Sequence, residues 1–175
     1  VLFRDEFNTM KGMTNVFGEL DIKDRWNLKI IKVESHEVKS YTPIGMAYVM
    51  MRNASFESKD ISLSYKYGCV NTRDTFTIEC EEDSSACIVD FPGLSLLETR
   101  IFIQECLDMG NLSYMDGGTN TTAINPGRLG DPVINYVHFP AHMYQTLHTH
   151  PSHRVGLVIR GNGKIELDNK EYYDI

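Results

Sequence analysis

Three of the six histidines in the chain lie within six residues of one another, at His148, His150 and His153. Imidazole nitrogen is a common ligand of divalent transition metals, at about 2.0–2.1 Å from the ion. Side chains two residues apart on a β-strand point to the same face, with Cα atoms about 6.5–7 Å apart. We therefore predict that His148 and His150 are metal ligands, with His153 as a third ligand if the chain bulges after Pro151.

The remaining histidines have surroundings that favour structural or surface positions. His138 and His142 precede the pair, and a bulge between them and the pair would break the alternation of a strand. His36 has charged neighbours and is typical of a surface turn. These three are left out of the predicted metal site.

The residues that follow the histidines predict a β-hairpin. The apolar run at 155–159 is strand-like, and the residues after Asn162 and Gly163 alternate as a return strand. The Asn-Gly pair is typical of a type I′ turn, because both central positions of that turn need positive φ. Asp168 and Asn169 predict a second tight turn near the end of the sequence.

The rest of the chain is patterned mainly for strands. In 26–91, short runs rich in β-branched and aromatic residues are bounded by turn residues. Apolar residues at helical spacing in 94–107 predict a helix that ends at Gly110, with a strand over 99–105 as the alternative. The glycine-rich stretch after Gly110 is either a linker or a long functional loop.

The composition disfavours nucleic-acid and membrane partners. The chain of 175 residues carries a formal net charge of −7 at pH 7, without a basic stripe that nucleic acid would need. No segment reaches the roughly 18 apolar residues of a membrane span, and no signal peptide is recognisable. We predict a cytoplasmic protein, while three Asn-X-Ser/Thr triplets leave secretion open.

Cys80 and Cys87 flank a polar run that is typical of a hairpin tip. A hairpin could bring these two cysteines within disulfide distance. Free thiols in a reducing compartment are the favoured interpretation. None of the four cysteines forms a CxxC pair, so no zinc knuckle is predicted.

The histidine segment resembles the first motif of the cupin superfamily. That motif is a glycine-led loop, HxH, three or four residues, a glutamate, six residues and a glycine. Here "HTHPSHRVGLVIRG" has His148, His150 and Gly161 at the matching positions. The resemblance covers 133–175 well and covers 26–91 only as a general β texture.

The resemblance implies an all-β fold, the double-stranded β-helix (jelly-roll) barrel of the cupins. Residues 1–93 would be a degenerate, β-rich first half, possessing at most the remains of a first cupin. Residues 94–131 would be a short connecting helix and linker loop. Residues 132–175 would be the N-terminal part of a truncated cupin barrel.

Arg154 occupies the position of the motif's glutamate. Arginine has no lone pair for a metal and carries a permanent positive charge. The resemblance therefore implies His148 and His150 as ligands, with either His153 or a histidine beyond Ile175 as the third ligand, since some cupin dioxygenases use three histidines and no glutamate. Arg154 would then be the catalytic residue that binds a substrate carboxylate or phosphate beside the ion.

The second cupin motif, which contributes a further histidine, has no counterpart between the first motif and Ile175. An incomplete barrel has open edges and an unfilled core. The resemblance therefore implies that a complementary C-terminal fragment, or another copy in a homo-oligomer, completes the barrel; the alternative is that the strands of residues 26–91 close it alone.

The activity that the resemblance implies is metal-dependent oxidation, with an Fe(II) dioxygenase acting on a small anionic organic substrate as the leading hypothesis. Imidazole ligands also suit Ni, Cu and Zn, and Mn where a carboxylate joins them. Two alternatives stay open. One is a non-catalytic ligand-sensing or scaffolding cupin domain, and the other is a metal-dependent sugar isomerase or epimerase.

Overall fold

A computed structural model of the chain describes residues 2–4, 13–15, 19–22, 27–95, 98–104, 109–148, 150, 152–167 and 170–175. The strands up to Phe91 are β1 (Leu2–Arg4), β2 (Met13–Asn15), β3 (Glu19–Ile22), β4 (Leu28–Val33), β5 (Val38–Tyr41), β6 (Met46–Ser58), β7 (Ser62–Thr72) and β8 (Phe76–Phe91). The strands after Phe91 are β9 (Arg100–Gln104), β10 (Leu112–Ser113), β11 (Thr119–Ile124), β12 (Ile134–His138), β13 (Arg154–Gly156), β14 (Lys164–Glu166) and β15 (Tyr172–Asp174).

The largest sheet is antiparallel and has the strand order β3–β4–β8–β6–β7–β9. The first part of β8 also pairs with β5, and its second part pairs with β4. The prediction of an all-β protein is confirmed. Within the described residues no sheet closes into a barrel, so the jelly-roll stays a prediction.

A bulge interrupts the pairing of β6 and β8 near the middle of both strands. The pairing shifts register between Arg52 and Ala54, and Asn53 and Asp83 both have positive φ, at 52° and 55°. The Asn53 side-chain amide donates to the Asp83 carbonyl at 3.2 Å. Four residues of β8, 81–84, thus lie opposite Asn53 alone, and Met51 and Ala54, three positions apart on β6, both join the same buried cluster.

The buried face on that side forms the main hydrophobic cluster. It contains side chains from before and after the bulge, such as Phe76 and Ile78 on the first part of β8 and Ile88 on the second. Phe56 stacks on Phe76 with ring centroids 5.0 Å apart. Each side chain of this kind contributes about 1.5–3 kcal/mol by leaving water, so packing stabilises the strands on both sides of the bulge.

The other face of the sheet is covered by segments from the C-terminal half of the chain. Ile30 and Val89 form a buried cluster against which Val155 of β13 packs. Tyr48 shares a second cluster with Ile124 of β11. These contacts place the segment that carries the histidines beside the main sheet.

Asp90 is a fully buried carboxylate near the end of β8. It accepts hydrogen bonds from the Tyr41 hydroxyl at 2.8 Å, from the Ile44 N–H at 2.7 Å and from the Gly45 N–H at 3.2 Å. We call these four residues the Asp90 network. Burial, and then the bond to Asp90, raise the pKa of Tyr41, so the hydroxyl remains a donor at neutral pH. A side chain at Gly45 would collide with the Phe91 carbonyl oxygen.

The predicted helix over 94–107 is wrong where the structure describes that segment. Residues Arg100–Gln104 form β9, which pairs with β7 at the edge of the main sheet. Buried Asn71 accepts the Arg100 N–H at 2.7 Å and donates to the Glu98 carbonyl at 3.4 Å. The backbone bonds to β7 and Asn71 therefore override the helical spacing of the apolar residues.

The glycine-rich stretch after Gly110 is not simply a loop. It contains β10, the 3₁₀ turn Met115–Gly117 and β11, and with β12 it forms a three-stranded antiparallel sheet. Gly110 donates to the Thr119 hydroxyl at 2.7 Å, and a side chain at Gly110 would collide with the Asn120 backbone.

The predicted hairpin at Asn162 and Gly163 is also wrong. Neither residue has positive φ, and β14 pairs with β15 rather than with β13, which pairs with β1. The hairpin forms one turn later, where Leu167 and Glu171 are joined by a 2.8 Å backbone bond. The predicted turn at 168–169 lies outside the described part of the chain and stays a prediction.

Cys80 and Cys87 are free thiols, and they lie on one continuous strand, β8. The predicted hairpin tip between them is the bulge of β8, with Glu81, Glu82 and Asp83 exposed to solvent. The favoured interpretation of free thiols is therefore confirmed.

Two of the thiols are expected to resist alkylation. Burial raises the pKa of Cys69 and of Cys87 to about 12, which leaves roughly 10⁻⁴ of each as thiolate at pH 8. Iodoacetamide at pH 8 should leave both unlabelled in the folded protein and label both in urea, as read by peptide mass mapping. Rapid labelling of Cys87 without denaturant would contradict its burial.

Candidate metal centre

His148 and His150 lie in an irregular segment between β12 and β13, so the prediction that they share a strand is wrong. The two rings nevertheless meet. Their Nε2 atoms are 3.1 Å apart, and the ring centroids are 4.8 Å apart in an edge-to-face arrangement. We call these two residues the histidine pair.

A series of hydrogen bonds begins at Nδ1 of His148, the ring nitrogen that does not face His150. This Nδ1 lies 2.7 Å from the carbonyl oxygen of Thr146, which can only accept, so Nδ1 carries a proton and donates. The Thr146 N–H and hydroxyl both donate to Oδ2 of Asp116, at 2.8 and 2.7 Å. These two bonds, the one from the hydroxyl first, hold the pKa of Asp116 below its ordinary value.

Asp116 reaches this position because it lies in a tight turn between β10 and β11. Asp116 and Gly117 have φ of 57° and 89°, the pair of positive angles that favours an Asp-Gly sequence in a hairpin. The Tyr114 N–H donates to the Gly118 carbonyl at 2.8 Å across the turn. The turn fixes the Asp116 carboxylate, and through Thr146 it fixes the His148 ring.

Arg154 contacts the other member of the pair. Its Nη2 lies 2.8 Å from Nδ1 of His150. Because arginine has only donors, Nδ1 of His150 must accept this bond, and the proton of a neutral His150 is then on Nε2. His150 therefore donates to Nε2 of His148. In the series Arg154, His150, His148, Thr146 and Asp116, each residue donates a hydrogen bond to the next one.

The spacing of the histidine pair also matches that of two ligands on one metal ion. Two nitrogens at about 2.05 Å from an ion lie about 2.9 Å apart at a right angle and about 3.3 Å apart at the tetrahedral angle. The observed 3.1 Å falls between these values. His148 fits a ligand role directly, because metal-bound histidines usually donate their other N–H to a carbonyl or carboxylate. His150 fits in position, but it needs its proton on Nδ1 instead.

No group of three or more histidine, cysteine, aspartate or glutamate side chains is arranged for a metal within the described residues. His153 is half-buried and directly precedes β13. Its role as third ligand stays a prediction. His138 lies on β12, while His142 and His36 are exposed at positive φ, 62° and 66°.

No family model, curated protein or solved structure matches this chain. The cupin resemblance therefore stays a prediction from the histidine motif. In the part of the chain that the structure describes, no helix has the length and hydrophobicity of a bilayer span.

Sequence reasoning missed two residues of this centre, Asp116 and Thr146. Asp116 is followed by two glycines, which do predict a turn. Nothing in the spacing shows that the turn lies next to a residue 30 positions later in the chain. Only the pairing of β10, β11 and β12 brings the two together.

Proposed function

We propose that the chain is a metal-binding protein of cupin type, in which Nε2 of His148 and Nε2 of His150 bind one divalent transition metal. The observation that carries this proposal is the 3.1 Å separation of the two Nε2 atoms. The bond from Nδ1 of His148 to the Thr146 carbonyl supports it, because it leaves the Nε2 lone pair directed toward the other ring.

The reaction that we propose for the metal-loaded protein is oxidation of a small anionic organic substrate, with Fe(II) as the metal. Bound Fe(II) would supply open coordination positions for O₂ and substrate. Arg154 would bind an anionic group of the substrate through its planar guanidinium. Asp116 and Thr146 would keep the His148 ring in one orientation during the reaction.

A second candidate is a cupin-type domain that binds a small anion without catalysis. Two observations favour it. Arg154 stands at the position of the motif's glutamate, and no three-residue ligand group is found within the described residues. In this case Arg154 would be the main determinant of binding, and loss of either histidine would change anion affinity only slightly.

Replacement of His148 by alanine is expected to weaken metal binding about tenfold or more, since one of two ligands is lost. The protein should be purified without added metal, with any histidine tag removed, and its metal content measured by elemental analysis. Titration with Co²⁺, a spectroscopic substitute for Fe(II), gives the affinity.

His138→Ala is the matched control, because it removes an imidazole from β12 in the same half of the chain. This control should bind Co²⁺ as the parent protein does. Equal Co²⁺ affinity in the parent and in His148→Ala would show that the pair is not the metal site, and the anion-binding function would then be preferred.

A further inference from the structure

We propose that Arg154 couples anion binding to metal binding at the histidine pair, so that an anion held by the guanidinium raises the affinity of the pair for a divalent metal. The inference rests on the proposed metal function and names its regulation. Its basis is the direction of the hydrogen bonds that connect Arg154, His150 and His148.

The bond from Arg154 determines which nitrogen of His150 carries the proton. Nη2 of Arg154 lies 2.8 Å from Nδ1 of His150 and can only donate. The neutral ring must therefore be protonated on Nε2, the nitrogen that faces His148 at 3.1 Å. In this state Nε2 of His150 has no lone pair for a metal.

Metal binding requires the opposite arrangement of His150. Its Nε2 must lose the proton and Nδ1 must gain one. The new Nδ1–H would then point at an N–H of Arg154, and two donors cannot share a 2.8 Å contact. The guanidinium must move away before His150 can act as a ligand in the neutral form.

His148 provides an internal comparison. Its Nδ1 already faces an acceptor, the Thr146 carbonyl, at 2.7 Å, which is the usual environment of a metal-bound histidine. The two rings are thus unequal, one arranged for a metal and the other held in the wrong tautomer by Arg154.

An anion offers Arg154 another partner. The Arg154 side chain is exposed, so it can turn toward solvent without leaving a cavity. A carboxylate can accept two parallel N–H bonds from a guanidinium, which makes it a stronger acceptor than a neutral imidazole nitrogen. The coupling is reciprocal, so bound metal also raises the affinity for the anion by the same factor.

The test is a Co²⁺ titration by calorimetry with and without saturating benzoate, a monocarboxylate that binds Co²⁺ weakly. The affinity of the parent protein for Co²⁺ should rise on the order of tenfold with benzoate, within the usual range of coupling between sites. Arg154→Met should show the higher affinity without benzoate and no further response to it. Arg73→Met, which removes an exposed arginine that bonds Ser95, should respond as the parent does.

A second measurement needs no metal and no substitution. In long-range ¹H–¹⁵N NMR spectra, the ¹⁵N shifts of His150 report which ring nitrogen is protonated. The metal-free parent protein should show the Nε2–H tautomer, because Nδ1 accepts from Arg154 and Nε2–H donates to His148. A parent protein in which His150 is already the Nδ1–H tautomer overturns the inference.

The two proposals fail in different ways. If His148→Ala loses Co²⁺ binding but benzoate leaves the parent affinity unchanged, the metal site stands and the coupling is wrong. If His148→Ala binds Co²⁺ as well as the parent does, the metal site is wrong and the coupling falls with it.

Discussion

Replacement of Asp90 by alanine is expected to lower the free energy of unfolding by at least about 3 kcal/mol. The carboxylate accepts three hydrogen bonds in a fully buried position. Its removal leaves the Tyr41 hydroxyl and the N–H groups of Ile44 and Gly45 without this acceptor, and a buried polar group that loses its partner costs about 1–3 kcal/mol. Urea unfolding followed by circular dichroism measures the change.

Graded substitutions separate the contributions to this network. Tyr41→Phe removes one bond to a charged acceptor and should cost about 1.5–3 kcal/mol. Asp90→Asn keeps one acceptor oxygen but places an NH₂ group against donors, so its cost should lie between those of Tyr41→Phe and Asp90→Ala.

Asp60→Ala is the surface control, since Asp60 is exposed in the turn between β6 and β7, and it should change stability by less than about 0.5 kcal/mol. A cost below about 1 kcal/mol for Asp90→Ala would mean that the Asp90 network does not hold the β5–β6 connection in solution.

Strand content could be predicted from the sequence because short runs rich in β-branched and aromatic residues, bounded by turn residues, are typical of strands. The first part of β6 and, apart from Asp90, the second part of β8 have apolar or small side chains on both faces, and both lie in the middle of the sheet. β9 was harder to predict, because residues such as Ile101 and Ile103 suit either a strand face or part of a helical stripe. The structure shows both partly exposed at 43% and 38%, so backbone pairing and Asn71, rather than burial, determine the strand.

The bulge of β8 could not be predicted, for a related reason. Glu81, Glu82 and Asp83 have the composition of a turn, and Asp83 does adopt a turn-like positive φ. The chain nevertheless continues in the same direction, because Asn53 on β6 takes the matching conformation and donates to Asp83. Pairing with the partner strand decides between a turn and a bulge, and the local sequence does not show which strand will be the partner.

For the histidine pair, the sequence predicted that the two rings lie close together, but not the backbone conformation that brings them together. The HxH spacing suggested two rings that meet, and the Nε2 atoms lie 3.1 Å apart, although the segment is not a strand. The replacement of the usual glutamate by Arg154 was visible in the sequence. Its direct bond to His150 was not, because nothing in the spacing shows that the guanidinium lies against Nδ1 of His150.

Replacement of Arg154 by glutamate is therefore expected to strengthen Co²⁺ binding about a hundredfold. The carboxylate would stand where the cupin motif has one, as a metal ligand or as the acceptor of an Nδ1–H bond from His150. Either role favours a free Nε2 lone pair on His150. Two unit charges about 6 Å apart in water interact by about 0.7 kcal/mol. Exchanging a cation for an anion near a dication multiplies this about fourfold, to nearly 3 kcal/mol, or about a hundredfold in affinity.

Arg154→Gln separates the charge from the ligand. It removes the cation without adding a carboxylate, so its Co²⁺ affinity should lie between those of the parent and Arg154→Glu. Arg73→Glu makes the same change of charge far along the chain, where it bonds Ser95 rather than the histidine pair, and should leave Co²⁺ affinity within about twofold of the parent, since solvent screens distant surface charges. Unchanged or weaker binding in Arg154→Glu, in a protein that keeps the parent's unfolding midpoint, would mean that position 154 does not face the ion. An increase in Arg154→Glu that exceeds the increase in Arg154→Gln would assign the gain to the carboxylate itself, and would identify the arginine as the residue that keeps the natural site weak.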